Sequence, residues 1–238
     1  MYADPKITNY ENFKNHNFIT RHLHNNKYKF INDCIKKNFG QKKFSVLDIG
    51  SGLSEFYRKF NDRYNFSYFG IEPNKNFFKI CNENLSSKSN YKIVCEDIEN
   101  LLDSLEDSDL ILCLDVLEHL NIGLRDKLIN KISKMNFKKL IITVPNEFGP
   151  AILIKNFGSR LIKYKRDFEY SFIETLKSSL YMFNRLPPHT KYHKNFYWRH
   201  LYYTLYTYFD VNIKTSLNNF LPKSLSPTIC FICQKRQN

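Results

Sequence analysis

No stretch of about 18 uncharged apolar residues occurs in this 238-residue chain, and a helix needs roughly that length to cross a bilayer. No transmembrane helix is expected. The opening residues Met1-Tyr-Ala-Asp-Pro-Lys lack the basic start and apolar stretch of a secretory signal, so the sequence points to a cytosolic protein. No internal repeat is found, which excludes a repeat array. Acidic residues are scarce, 23 against 36 Lys and Arg, for a formal charge of +13. The scarcity is uneven. Residues 148–238 hold 14 basic and 4 acidic side chains, whereas residues 1–147 hold 22 and 19. An acid-poor C-terminal part fits an anionic substrate, an acidic membrane surface or nucleic acid. It equally fits the coding bias of a chain rich in Lys, Asn, Ile, Tyr and Phe.

What is present is a globular composition, 42% hydrophobic and 25% charged, in a chain long enough for one full core. The six cysteines sit mostly inside apolar runs and read as buried free thiols. Cys230 and Cys233 form a lone C-x-x-C, but residues 228–234 read as a strand, where a three-residue spacing sends the two thiols to opposite faces. A zinc or redox site is not expected there.

Strand and helix patterns alternate from residue 44 to 144, the signature of a parallel sheet covered on both faces. Strands are expected at 44–48, 68–72, 92–95, 110–114 and 140–144. Helices are expected at 55–61, 75–84 and 124–135, with a short turn near 98–105. In the 124–135 helix, Leu124, Leu128, Ile129 and Ile132 share one face. Ahead of the sheet, Phe30, Ile31, Cys34 and Ile35 mark an amphipathic helix ending at Gly40. After Pro145 the alternation gives way to helix up to about Asn184, with Phe172, Ile173, Leu176, Leu180 and Phe183 at helical spacing. A last helix at 197–208 and strands at 210–215 and 228–234 follow. The organisation is a single domain over 1–238: a helical cap (1–43), a core (44–146), a helical lid or substrate insertion (147–196) and a closing helix with two strands (197–238).

The strongest local signal is Val46-Leu-Asp48-Ile-Gly50-Ser51-Gly52, a buried strand entering a tight glycine turn and then a helix. Glycine is needed where backbone must approach a ligand without an intervening Cβ. Glu72 ends the second strand some twenty residues on, where an acid can accept both hydrogen bonds of a ribose diol. That spacing implies an adenosine-containing cofactor. The third glycine of G-x-G-x-x-G is replaced by Glu55, so no pyrophosphate cradle is evident, and a cofactor without phosphates is favoured over a nicotinamide dinucleotide.

With these motifs in place, the chain resembles the class I S-adenosylmethionine-dependent methyltransferases, in particular the type 11 and type 23 group that includes the ubiquinone-pathway O-methyltransferases. Asp48-Ile-Gly50-Ser51-Gly52 resembles the family's first motif, around the methionine part of the cofactor, and Glu72-Pro73 its ribose-binding position. Cys95-Glu-Asp97-Ile98 resembles the segment facing the adenine amino group. Asp109-Leu-Ile-Leu-Cys-Leu-Asp115-Val116-Leu-Glu-His119 resembles the fourth-strand motif, and Ile142-Thr-Val-Pro145-Asn146 the end of the fifth strand. The resemblance covers 44–146 and, more loosely, 187–236; residues 147–186 match nothing named. It implies S-adenosyl-L-methionine as cofactor and an α/β Rossmann-like three-layer sandwich, its seven-stranded, mostly parallel sheet closing on an antiparallel last strand. Leu53-Ser54 replaces a third glycine that many relatives carry there.

A sulfonium methyl is already reactive, so holding an acceptor in line about 3 Å away supplies most of the acceleration. A hydroxyl acceptor also needs a base near neutrality, for which His189, His119 and His193 are the candidates, His189 first because Pro187-Pro188 stiffens its approach. The expected acceptor is a small molecule or a lipid- or sugar-linked one, methylated at oxygen, with peripheral contact to an anionic membrane surface as a further expectation. The rivals are an RNA methyltransferase and a non-catalytic S-adenosylmethionine-binding module. Against nucleic acid stand the absence of a separate RNA-binding domain and of an N-P-P-[YF] tetrapeptide, and the Leu201, Leu205, Tyr208 and Phe209 spacing of the aromatic 197–208 stretch, which fits a helix packed on a sheet. No metal site is expected. The oligomeric state has no signal in the sequence.

Overall fold

The computed structural model describes residues 18–161, 170–187, 189, 194–215 and 222–236. The chain divides into two compact units, residues 1–98 and 99–238. The first unit opens with helix α1 (Phe18–Asn38), which buries Tyr28, Ile31, Cys34 and Ile35 at helical spacing. It ends where Gly40 turns to φ +59° and donates its N–H to the Ile35 carbonyl, a left-handed cap open to glycine at no steric cost. Strands β1 (Phe44–Ile49), β2 (Phe66–Ile71) and β3 (Tyr91–Val94) pair in parallel. They are joined through helices α2 (Glu55–Phe60) and α3 (Lys75–Leu85). Phe56, Tyr57, Phe60, Phe66, Tyr68 and Tyr91 interlock in stacked and edge-on arrangements. This aromatic wedge fixes the floor under the β1–α2 turn. The short helix α4 (Ile98–Leu101) begins where the unit ends.

In the second unit β4 (Leu110–Leu114) and β5 (Lys139–Pro145) are parallel and almost wholly buried, as a strand covered on both faces must be. Helix α5 (Ile122–Lys134) links them, its N-cap Asn121 accepting the Leu124 N–H at 2.9 Å. Helices α6 (Pro150–Leu161) and α7 (Phe172–Ser179) follow, then α8 (Trp198–Tyr208), β6 (Phe209–Thr215) and β7 (Thr228–Lys235). β7 runs antiparallel to both β5 and β6. The seven strands have the order β3-β2-β1-β4-β5-β7-β6, the Rossmann-like sheet with its antiparallel last strand that the resemblance implies. All seven expected strands form, within one or two residues of their expected ends.

Cys230 and Cys233 lie in β7, buried and outside any disulfide, and burial pushes the Cys233 thiol up. Among the described residues no group of His, Cys, Asp and Glu could hold a metal ion, and no helix is long and apolar enough to cross a membrane.

One element departs from its sequence pattern. The spacing of Phe172, Ile173, Leu176, Leu180 and Phe183 suggests a packed apolar face, yet α7 and its C-cap Leu180 turn the first four outward, 63%, 63%, 48% and 62% exposed, and Phe183 beyond them is 38% exposed. The helix buries Thr175, Ser178 and Ser179 instead. The reason is local: Asn156 of α6 donates to Thr175 Oγ1 at 2.7 Å, and the Gly149 N–H donates to the Ser178 carbonyl at 3.0 Å. The small face of α7 is thereby anchored. Gly149 (φ +78°) is required, since an added Cβ would stand 2.2 Å from the Tyr181 hydroxyl.

Candidate functional site

The β1–α2 turn of the first unit is built by left-handed residues at Gly50 (φ +69°), Gly52 (φ +56°) and Ser54 (φ +53°). The N–H groups of Gly50 and Ser51 both donate to the Ile71 carbonyl, at 2.8 and 3.0 Å, so the turn is stitched to the end of β2. Glu72 completes the stitching. Its Oε2 accepts the Gly52 N–H at 2.6 Å and its Oε1 the Asn74 N–H at 2.9 Å. The Glu72 carboxyl is buried, which raises its pKa above the ordinary value while the two backbone donors pull it back. Each carboxylate oxygen still has an acceptor site to spare.

Asp48 lies in β1 beneath the turn, 2% exposed, its Oδ2 accepting the Tyr68 hydroxyl at 2.7 Å. Burial pushes its pKa up to about 7; the Tyr68 hydrogen bond opposes the rise and the nearby Glu72 charge adds to it. Ser54, at the Leu53-Ser54 departure from the family's third glycine, shares a 2.7 Å hydrogen bond with Tyr91, and that partner holds a non-glycine residue in a left-handed position.

The turn has the attributes of a ligand cradle. Among the described residues the buried Ser51 hydroxyl has no hydrogen-bond partner, a group that costs about 1–3 kcal/mol unless something pairs with it. A Cβ built on Gly52 meets nothing within 4 Å, so the space above the glycine is open. Pro73 and Asp97 are exposed and Ile98 is buried, all three within the same unit as the turn.

In the second unit Asp115, just past β4, adopts φ +58° and is half-buried. Its N–H donates to the Thr143 carbonyl at 2.9 Å and its Oδ1 accepts the Thr143 hydroxyl at 2.8 Å. Val116 follows, half-buried, as the cap of the turn Leu117–His119. His119 is exposed; His193 lies outside the described residues.

His189 has the geometry of an oriented imidazole. Its Nδ1 lies 3.1 Å from the Lys194 carbonyl, which can only accept. Nδ1 therefore carries the proton, and in the neutral ring Nε2 presents its lone pair. Nε2 is buried and has no hydrogen-bond partner among the described residues. The ring stands edge-on to Phe196 at 5.2 Å. Next to it, Asn195 (φ +62°) receives support from Tyr170, whose hydroxyl accepts the Asn195 N–H at 2.6 Å, and donates its own amide to the Pro187 carbonyl at 2.7 Å. The Asn195 Oδ1 is likewise buried and unpartnered among the described residues.

No motif marks Arg125, yet it is buried on α5 beside Leu128, Ile129 and Ile132. The helical period carries the signal, since positions 125, 128, 129 and 132 share a face as well as 124 and 128 do. Leu124, expected on the core face, is only half-buried.

The strand order, the glycine turn and the acid closing it define a class I methyltransferase fold. A family model described as "Methyltransferase domain" matches residues 46–136, and over that part the chain is similar to methyltransferases. The uncharacterized protein MJ0638 of Methanocaldococcus jannaschii is 33% identical over 124 residues, 50% of this chain and 49% of that protein. The match thus spans about half the length of that relative. Among solved structures, magnesium protoporphyrin IX methyltransferase from Synechocystis, with bound SAH, superposes with TM-score 0.56 at 13% identity, covering 96% of this chain and 94% of that one. The small RNA methyltransferase HEN1 superposes with TM-score 0.60 at 14% identity, covering 90% and 26%. At such identities the likeness is one of fold.

Proposed function

We propose that the protein transfers a methyl group from S-adenosylmethionine to a hydroxyl of a small or lipid- or sugar-linked acceptor. The observation that carries the reading is the Glu72 clamp on the Gly52 and Asn74 amides beneath an open glycine turn. When bound, the cofactor supplies an activated sulfonium methyl. Glu72 uses its spare lone pairs for the ribose hydroxyls, Ser51 gains the partner its hydroxyl lacks, and Gly50 and Gly52 keep the turn free of side chains. Asp48, two residues ahead of Gly50, is held in place by the Tyr68 hydroxyl. By their motif positions, Pro73, Asp97, Ile98, Asp115 and Val116 complete the set of cofactor-binding residues.

For the acceptor, the second unit supplies His189, whose tautomer is set by the Lys194 carbonyl and whose Nε2 takes the hydroxyl proton as the methyl is transferred. His119, exposed, suits this role less well. The outward apolar face of α7, in a part of the chain carrying 14 basic against 4 acidic residues, supports a lipid-linked acceptor at an anionic surface. RNA is the second reading, and the same basic excess is what favours it.

Calorimetry with S-adenosylmethionine and methyl transfer to fractionated cell extract test the proposal. General-base assistance contributes about 10²–10⁴-fold, so His189→Ala should lower kcat by that order and leave cofactor affinity unchanged. A His189→Ala enzyme within a few-fold of wild type would remove His189 from the mechanism.

A further inference from the structure

Among the described residues, Arg125 is a buried cation without a close partner. The residue is 7% exposed, its Nε makes no hydrogen bond, and the nearest carboxylate oxygen is Asp126 Oδ1 at 3.8 Å, on a half-exposed side chain. Its Cζ stands 5.9 Å from the centroid of the fully buried Phe196 ring. Phe196 also meets the His189 ring and follows Asn195 in the chain. Two side chains with unpaired buried polar atoms thus meet one aromatic ring, a guanidinium donor and the His189 Nε2 acceptor, and a third such atom, the Asn195 Oδ1 acceptor, belongs to the residue that precedes that ring in the chain.

A guanidinium whose Nε is buried without a hydrogen bond gives up part of its hydration with little in return. Burial also pulls the Arg125 pKa below its ordinary value, against the weak opposition of Asp126. A planar fork of donors matches carboxylate and phosphate oxygens, while the two acceptors match hydroxyl donors. We infer that Arg125, with Asn195 and His189, forms an anion subsite, and that the acceptor is a hydroxylated molecule bearing a carboxylate or phosphate. The assignment of this anion to the methyl acceptor rests on the proposed methyltransferase reading; the anion site itself does not.

The test is the thermal midpoint of the full chain in inorganic phosphate and in acetate, against chloride at equal ionic strength. Either anion at ten times its Kd should raise the wild-type midpoint by about 3–6 °C. A response to phosphate alone assigns a phosphoryl group, and a response to acetate alone a carboxylate. Arg125→Met should raise the midpoint in anion-free buffer, since it removes an uncompensated charge, and should lose the anion response. No wild-type response, or an Arg125→Met variant that melts lower with its anion response intact, overturns the subsite. Should the Met variant fail to fold, Arg125→Lys decides: a tenfold weaker anion affinity is expected, and an unchanged affinity overturns the proposal. S-adenosylmethionine affinity measured alongside separates the two claims. Its absence in wild type defeats the methyltransferase reading, while a surviving anion response keeps the subsite.

Discussion

Asp48 occupies its buried place in β1 at a cost in stability. Its carboxyl titrates near 3.8 when free of the fold and at about 7 when buried. Between those values the folded protein keeps a proton that the unfolded chain has released, so stability falls as pH rises from about 4 to about 7 and stays low above. At about 1.4 kcal/mol per unit the penalty is on the order of 4 kcal/mol. Asp48→Asn, which keeps an acceptor for Tyr68, should therefore match wild type near pH 4 and exceed it in urea midpoint at pH 8. Parallel pH profiles for the two proteins would mean that Asp48 is no more protonated in the fold than out of it. Glu72 behaves differently because it serves two backbone donors at once. Glu72→Ala should weaken S-adenosylmethionine binding about ten- to a hundredfold in calorimetry, from a charge-assisted pair worth roughly 1.5–3 kcal/mol. Glu72→Gln is not a mild change, because its NH₂ must face either the Gly52 or the Asn74 N–H; its affinity should lie near that of Ala.

Helix α7 is the element whose role is open to the sharpest test. A helix that shows four large apolar side chains to water is a candidate for an apolar surface, and the basic excess around it selects an anionic one. Replacing Phe172, Ile173, Leu176 and Leu180 by Ser should abolish sedimentation with phosphatidylglycerol vesicles and leave S-adenosylmethionine affinity intact. Wild-type binding should weaken with added salt. If wild type does not sediment, the lipid-linked acceptor loses its support.

α7 also marks where sequence reading stops. The strands and the glycine turn were legible because buried β-strands and left-handed turns impose residue types on single positions, as at Val46, Gly50 and Gly52. Period alone cannot say which face of an amphipathic helix turns inward when its neighbour offers a hydrogen-bonding side chain such as Asn156. The same limit hid Arg125, a charged residue at a core-facing period, and the partners Tyr68 and Asn195, whose hydrogen bonds join residues about twenty positions apart or more.

On the scale of the whole molecule, the order in which the chain is made differs from the order in which its strands are paired. β7 lies between β5 and β6 in the sheet, yet more than 80 residues of chain separate the end of β5 from its start. At about 5–20 residues per second of synthesis, the Leu140-Ile-Ile-Thr-Val edge waits roughly 4–16 s for its partner. During that interval the nascent protein offers an uncharged, β-prone ribbon of unpaired amides to any neighbouring chain. A variant lacking Thr228–Lys235 never ends that interval and should collect in the pellet after centrifugation of the lysate. For the intact chain the same geometry makes recovery a race: slower elongation lengthens the exposure, and crowded expression raises the number of strangers that can reach the edge first.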